Sequence, residues 1–276
     1  MSRRVLPHDA LIDRDPEPDD RQFVTALARG LKLLRAFAPG DGPLGNTELV
    51  QRTGLPKPTV SRLAYTLTRL GYLVYSPQSG QYELGPAVLS LGYVSLANMD
   101  VRHIARPHMQ ALANHAQASV TLGARDGLSM IYLEFRRGPK AVGLGLDIGD
   151  RIPIATTGMG RAYLAAIPES ERGRILDRLR AAEDKADWPR LRKGVERAVR
   201  EVAERGFCLS IGEWKPEINA IGVPLSSSLS REVLAFNIGG LASTLPRRRL
   251  EEDLGPRLVE MARTVGEGMI GRRRRA

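Results

Sequence analysis

The chain has 276 residues, 42% of them apolar, a net charge of +10 and one cysteine. That is enough apolar material for one large or two modest buried cores, and the positive balance points to a polyanionic partner, a nucleic acid or a membrane surface. A lone Cys208 excludes an intramolecular disulfide, and His8, His103, His108 and His115 form no Cys/His cluster with metal-ligand spacing. With no apolar signal core and no run of about 20 apolar residues, secretion and membrane spanning are not indicated. A cytoplasmic protein with neither metal nor cofactor is expected.

Residues 1–20 carry six carboxylates and little apolar content, the composition of a disordered tail. Phe23, Ala26, Leu27, Leu31, Leu34 and Phe37 then recur on one face of a helix predicted over 23–38, which ends before Pro39-Gly40. This helix is expected to pack across the two that follow.

The stretch 46–73, NTELVQRTGLPKPTVSRLAYTLTRLGYL, reads as two short helices and a turn. Gly54 can take the left-handed conformation that ends the first helix, and Leu55 plugs the corner. Pro58 suits the first turn of the second, where its missing N–H costs nothing. Val60, Leu63, Ala64, Leu67 and Leu70 form the inner face, and Thr59, Ser61, Arg62, Tyr65, Thr66 and Arg69 the outer one. No carboxylate occurs from Leu55 to Gln81. Across 21–85 there are eight Lys or Arg against three carboxylates, so the charge concentrates here. A glycine turn followed by a helix with hydroxyls and cations at its exposed N-terminal end is the layout of a helix-turn-helix. The alternative is an ordinary αα-hairpin with a solvated face.

Tyr72–Tyr75 and Gln81–Leu84 alternate around a turn-forming segment and predict a hairpin, hence a wing with Gln78, Ser79 and Gln81 at its tip. A three-helix domain can also simply end in a hairpin. PAVLSLGYVSLANM, 86–99, is apolar on several sides, as suits a helix paired with its own copy in a dimer or packed on a second domain. Beyond it the pattern predicts a helix over 103–115, strands over 119–124, 130–135 and 141–146, helices over 160–166, 170–179 and 189–205, strands over 207–211, 220–224 and 233–238, and a closing helix over 247–269. Strands interleaved with helices, with hairpin turns between neighbours, argue an antiparallel α+β domain. The arginines at 272–275 read as a solvated basic tail.

No catalytic constellation emerges. The glycine pairs at 143–145 and 158–160 are too incomplete for a dinucleotide fingerprint, and Cys208, in the apolar run FCLSI, reads as a buried core thiol. In IPIATTGMGRAYLAA, Thr156, Thr157 and Gly158 precede a helix starting near Gly160, so hydroxyls, backbone N–H groups and the positive helix end converge where a carboxylate could sit. Ordinary N-capping by the threonines is the alternative.

The segments RTGLPKPTVSRL with LTRLGYL, TTGMGRAYLA, and the GF…GVPL run before a strand from Val233, in that order, resemble the IclR family of bacterial transcriptional regulators across about 23–265. The resemblance implies a winged helix-turn-helix over 21–85, a dimerising linker helix over 86–102 and a GAF-like effector-binding domain over 103–271, with 272–276 a basic tail. It also implies homodimers, often paired into tetramers, that bind a double-stranded operator and repress or activate genes. FVTALARGL and TTGMGR look like the branch controlling aromatic-acid catabolism, such as protocatechuate or β-ketoadipate pathways.

The family's ligand pocket, carried over, falls on Gly158, Met159, Ser210, Ala220, Asn237 and Gly239, to which the helix-end argument adds Thr156 and Thr157. Lys57, Thr59, Ser61, Arg62 and Tyr65 are expected at the major groove, with Arg69 and the wing at phosphates. The competing readings are a metabolite-processing α+β enzyme tethered to a nucleic-acid-binding domain, against which the missing acid–base or nucleophile pair speaks, and an architectural DNA-binding protein without a ligand.

Overall fold

The computed structural model describes residues 22–38, 40–141, 145–182, 186–226 and 233–273, with side chains to 270. The acidic tail and the end of the arginine tail lie outside them. The chain divides into two compact units, Met1–Asn98 and Met99–Ala276.

The first unit holds α1 (Thr25–Leu34), β1 (Leu44–Gly45), α2 (Asn46–Thr53), α3 (Lys57–Arg69), the hairpin β2 (Leu73–Ser76) and β3 (Gln81–Leu84), and α4 (Pro86–Ala97). Its core is Leu33, Leu44, Leu49, Val60, Ala64 and Leu73. β1 pairs with β3 as a third antiparallel strand, too short to leave an alternation in the sequence. α1 departs from expectation. It ends at Leu34, and Gly30 and Leu33 are its buried residues, while Leu27 and Leu31 stand 62% and 52% exposed, as does Leu70, the residue just after α3, at 62%. These leucines face a groove of about 650 Å³ shared with Leu63, Leu67 and Leu91. α4 has no buried residue, and Leu89, Leu91, Tyr93 and Val94 are all exposed.

The second unit contains α5 (Asp100–Ala116), β4 (Ser119–Asp126), β5 (Ser129–Arg137), β6 (Arg151–Pro153), α6 (Gly158–Ala166), α7 (Glu169–Ala182), α8 (Trp188–Arg205), β7 (Cys208–Ile211), β8 (Ile218–Ser226), β9 (Val233–Leu241), α9 (Arg247–Arg249) and α10 (Gly255–Arg273). The stretch 86–102 therefore contains all of α4 and the first turn of α5. The strands form one antiparallel sheet in the order β6-β5-β4-β9-β8-β7.

Residues alternate between the two faces of the sheet. Val120, Leu122, Ile221, Phe236 and Ile238 pack with Met109 of α5 and Leu258 and Val265 of α10. Met130, Tyr132, Cys208 and Ala235 pack on the other side with Met159 and Ala162 of α6 and Val195 of α8.

Two predicted elements change. Ala141, Gly145 and Leu146 carry no strand, and 142–144 lie outside the described residues. Gly145 and Gly149 hold φ of 70° and 92°, which breaks an extended run, and the edge strand forms later as β6. The closing helix is interrupted by a π-helical turn, Leu250–Leu254, with the Gly255 N–H bonded to Leu250 O. Pro256 has no N–H to offer the preceding turn, which favours the wider winding.

Candidate nucleic-acid interface and effector pocket

Gly54 closes α2 at φ 65°, its N–H bonding Val50 O at 2.8 Å. The Thr53 hydroxyl donates to Leu49 O at 2.6 Å and accepts from the Leu55 N–H at 3.3 Å, fixing the corner. α3 starts at Lys57, one residue before Pro58, and seats Val60 and Ala64 fully in the core. That burial turns Lys57, Arg62, Tyr65 and Arg69 outward, with Tyr65 66% exposed. Thr59 and Ser61 are half-buried at the edge of this face, and the Ser61 hydroxyl accepts from Asn46 Nδ2 at 3.0 Å.

In the wing, Tyr75 and Tyr82 pack with ring centroids 4.9 Å apart, and the register Ser76↔Gln81 leaves Gln78 and Ser79 exposed in the turn. Gln81 flanks the tip, paired with Ser76 at the end of the turn. It opens β3 beside the turn, and its Nε2 donates to Pro43 O at 3.3 Å, tying the turn end of the hairpin to the chain entering β1. Arg52, counted with the cationic set, binds both carboxylate oxygens of Asp41 and Ala36 O, so it fastens the end of α1 to α2. The exposed cations that remain on the second helix are Lys57, Arg62 and Arg69.

In the second unit, Thr157 caps α6. Its Oγ1 accepts from the Gly160 N–H at 3.2 Å and donates to Pro153 O at 2.7 Å, so Gly158 and Met159 form the first turn. Thr157 thus does the capping, while Thr156 differs: its carbonyl accepts from Ser210 Oγ at 2.6 Å, and its own Oγ1 is buried without a hydrogen-bond partner. Asn237 Oδ1 is likewise buried and unpartnered. A Cβ on Gly158 would lie 2.9 Å from that oxygen, so the end of α6 and Asn237 are neighbours.

Pairing across the sheet puts Ser210, Ala220, Gly239 and Ser119 on one line, all small. The next line on the same face holds Cys208, Gly222, Asn237 and Thr121, with the Tyr132 hydroxyl hydrogen-bonded to Thr121. Ser119, Thr121 and Tyr132 were missed by sequence reasoning, because register becomes readable only when the strand order is known. Burial pushes the Tyr132 hydroxyl far above the ordinary phenol range and the Cys208 thiol up to about 12, so both stay protonated. The Cys208 thiol, fully buried, donates to Gly158 O at 3.6 Å.

Arg161, 1% exposed, braces this region. Its Nε donates to Ala155 O at 2.8 Å, its Nη1 to Leu209 O at 3.4 Å, and its Nη2 to Glu213 at 2.7 Å, in the space left by Gly194. The two carbonyls adjoin Thr156 and Ser210. Burial pushes the Glu213 carboxyl up, but Arg161 and then Arg197 outweigh it and hold it below its ordinary value near 4.5. A lowered carboxylate adds stability above its unfolded pKa and loses it as pH falls through the folded one. Acid unfolding of Glu213→Gln, followed by circular dichroism below pH 5, should accordingly be shallower than that of the parent. Parallel curves would mean that the bridge adds nothing.

Residues 93–267 match the family described as the bacterial transcriptional regulator IclR C-terminal domain, and 26–77 match the IclR helix-turn-helix domain. The chain belongs to the IclR family. Among IclR relatives, it is 35% identical over 245 residues to the HTH-type transcriptional regulator TsaQ1/TsaQ2 of Comamonas testosteroni, covering 88% of this chain and 87% of that protein. It is 26% identical to the Pca regulon regulatory protein of Pseudomonas putida, covering 91% and 86%. The crystal structure of an IclR family transcriptional regulator from Brucella abortus is 47% identical and superposes with a TM-score of 0.87, covering 95% of this chain and 99% of that one. IclR-family proteins are transcriptional regulators and not enzymes, with a DNA-binding helix-turn-helix and a C-terminal domain for a small-molecule effector. Among the described residues, no helix is long and apolar enough to cross a membrane.

Proposed function

We propose that this IclR-family regulator is a cytoplasmic homodimer, able to pair into a tetramer, whose operator binding is set by a small aromatic carboxylate. The observation that carries the DNA half is the exposed face of α3, which offers Lys57, Arg62, Tyr65 and Arg69 with no carboxylate among them. Lys57, Thr59, Ser61, Arg62 and Tyr65 face the major groove, while Arg69 and the wing residues Gln78 and Ser79 meet phosphates, with Gln81 holding the wing in place. On this reading 21–85 reads DNA, 86–102 links and dimerises, and 103–271 senses.

Two exposed apolar faces, on α1 and α4, support the dimer. It would set two α3 helices about a two-fold axis, as a palindromic operator requires. The effector half is supported by Thr156 and Asn237, whose buried oxygens want a partner, and by the first turn of α6, whose N–H groups favour an anion. Small residues at Ser210, Ala220 and Gly239 leave a flat floor for a ring, bordered by Gly158 over the next line at Gly222 and Asn237, while Met159 lies farther along, against Gly123.

The test has two arms. Arg62→Ala should weaken binding to a duplex selected by the parent protein by about 1–3 kcal/mol if Arg62 meets a guanine edge. Unchanged affinity would remove it from the interface. Benzoate, 4-hydroxybenzoate, protocatechuate and β-ketoadipate should be screened by thermal shift, where a true effector stabilises as RT ln(1 + [L]/Kd). A flat response to all four would leave the carboxylate reading without support.

A further inference from the structure

β5 has a bulge with a specific result. Its register with β4 slips between Leu122 and Gly123: Leu122 faces Glu134, Gly123 faces Tyr132, and Leu133 is the extra residue. In a regular strand Tyr132 and Glu134, two apart, would point to the same side. Here the bulge turns Glu134 to the opposite side, as bulges re-aim side chains. Tyr132 and Phe135 stay on the α6 side with ring centroids 6.1 Å apart. Leu133 joins the cluster of α5.

Glu134 is fully buried and serves three arginines. Its Oε2 accepts from Arg102 Nη2 at 3.1 Å and Arg106 Nε at 3.0 Å, and its Oε1 from Arg136 Nη2 at 3.0 Å and from the Phe135 N–H at 3.3 Å. Arg102 and Arg106 lie one turn apart at the start of α5, directly after the boundary between the two units. The carboxylate therefore docks the first two turns of α5 onto the bulge. The three partners are unequal: the Arg102 side chain is 7% exposed, whereas Arg106 and Arg136 are 40% and 30% exposed. Once released, Arg106 and Arg136 can be hydrated and Arg102 cannot, but the carboxylate itself is fully buried, so each partner matters to it more than in a surface pair. Arg102 is thus the fixed member of the cluster, and Arg106 and Arg136 are the members that a shift of the bulge or of α5 would move first.

On the other side of the same bulge, Tyr132 bonds to Thr121, which pairs with Asn237 in the strand register and reaches its carbonyl at 3.5 Å. The pocket wall and the arginine clamp are thus opposite faces of three consecutive residues of β5. We infer that Glu134 and its three arginines couple occupancy of the effector pocket to the start of α5, the helix that the chain enters from its DNA-binding unit. The inference rests on the effector reading above and assigns its regulation.

The experiment uses the full chain and a labelled duplex selected by the parent protein from a random pool, with 4-hydroxybenzoate and protocatechuate as probes. In the parent, saturating probe should change the operator Kd by about 5- to 150-fold, the usual range of allosteric coupling. In Glu134→Gln and Arg106→Gln that factor should fall below about twofold, while the probe's own Kd and the operator Kd without probe stay within about threefold of the parent, since coupling is a property separate from either affinity. Variants that keep the full factor overturn the inference. If Glu134→Gln does not fold, the half-exposed Arg106→Gln decides alone. A parent that neither probe stabilises brings down the effector reading and this inference with it. One that is stabilised without any change in operator Kd leaves the pocket standing and overturns the coupling.

Discussion

Gly222→Ala is expected to lift the first turn of α6 off the sheet and to lower the melting temperature of the second unit by roughly 6–12 °C, given about 3 kcal/mol of overpacking and about 2–4 °C per kcal/mol for a domain of this size. The added Cβ would lie 1.9 Å from Gly158 O and 2.4 Å from Gly158 C. Those are backbone atoms of the capped turn and have no rotamer to escape into. Since the same turn stands beside Asn237 and Thr156, the variant should also lose stabilisation by any effector. Gly173→Ala is the control. Its Cβ would meet nothing within 4 Å, and alanine is the better helix former, so it should be neutral or slightly stabilising. Equal melting temperatures for Gly222→Ala and the parent would mean that α6 is not held as tightly on β8 as these distances require.

A second large effect is expected from Leu91→Glu. Leu91 is 60% exposed in the single chain and lines the groove beside Leu27 and Leu31, so the charge should cost the isolated fold no more than about 0.5 kcal/mol. In the proposed dimer the same carboxylate would be buried in an apolar seam, where an unpaired charge is not tolerated. Light scattering should then report a monomer. Operator affinity should drop on the order of 10²-fold or more, because two linked half-sites gain that much over one. A variant that stays dimeric would locate the seam elsewhere.

What the sequence disclosed and what it withheld divide along physical lines. The helix-turn-helix was legible because its determinants are local: a positive-φ glycine, a proline in a first turn, and apolar residues three and four apart. The alternating strands and the buried leucines of the closing helix were legible for the same reason. Helix α1 marks the limit. Its apolar stripe was evident, yet Leu27 and Leu31 are left exposed by the described residues of their own unit, and a pattern of hydrophobicity does not say what provides the cover. At the candidate pocket, Thr156, Gly158 and Asn237 came from a local helix end and a family likeness, whereas Ser119 and Tyr132 are brought beside them only by the β4–β9 and β4–β5 pairings. Glu134 was invisible for a sharper reason. In an alternating strand it reads as sharing the side of Met130 and Tyr132, and one extra residue moves it to the opposite side, against α5.

The π-helical turn ahead of α10 has a geometric consequence. Leu250, Leu254 and Leu258 are four apart, and each step of four overshoots a 3.6-residue turn by roughly 40°, so in a uniform α-helix the three would spread over roughly 80° of one face. The wider winding at Leu250–Leu254 takes up that excess, and Leu250, Leu254, Leu258 and Val265 are all fully buried. The turn works as a phase corrector, narrowing that spread so that the leucines at the start of the run lie in line with Val265.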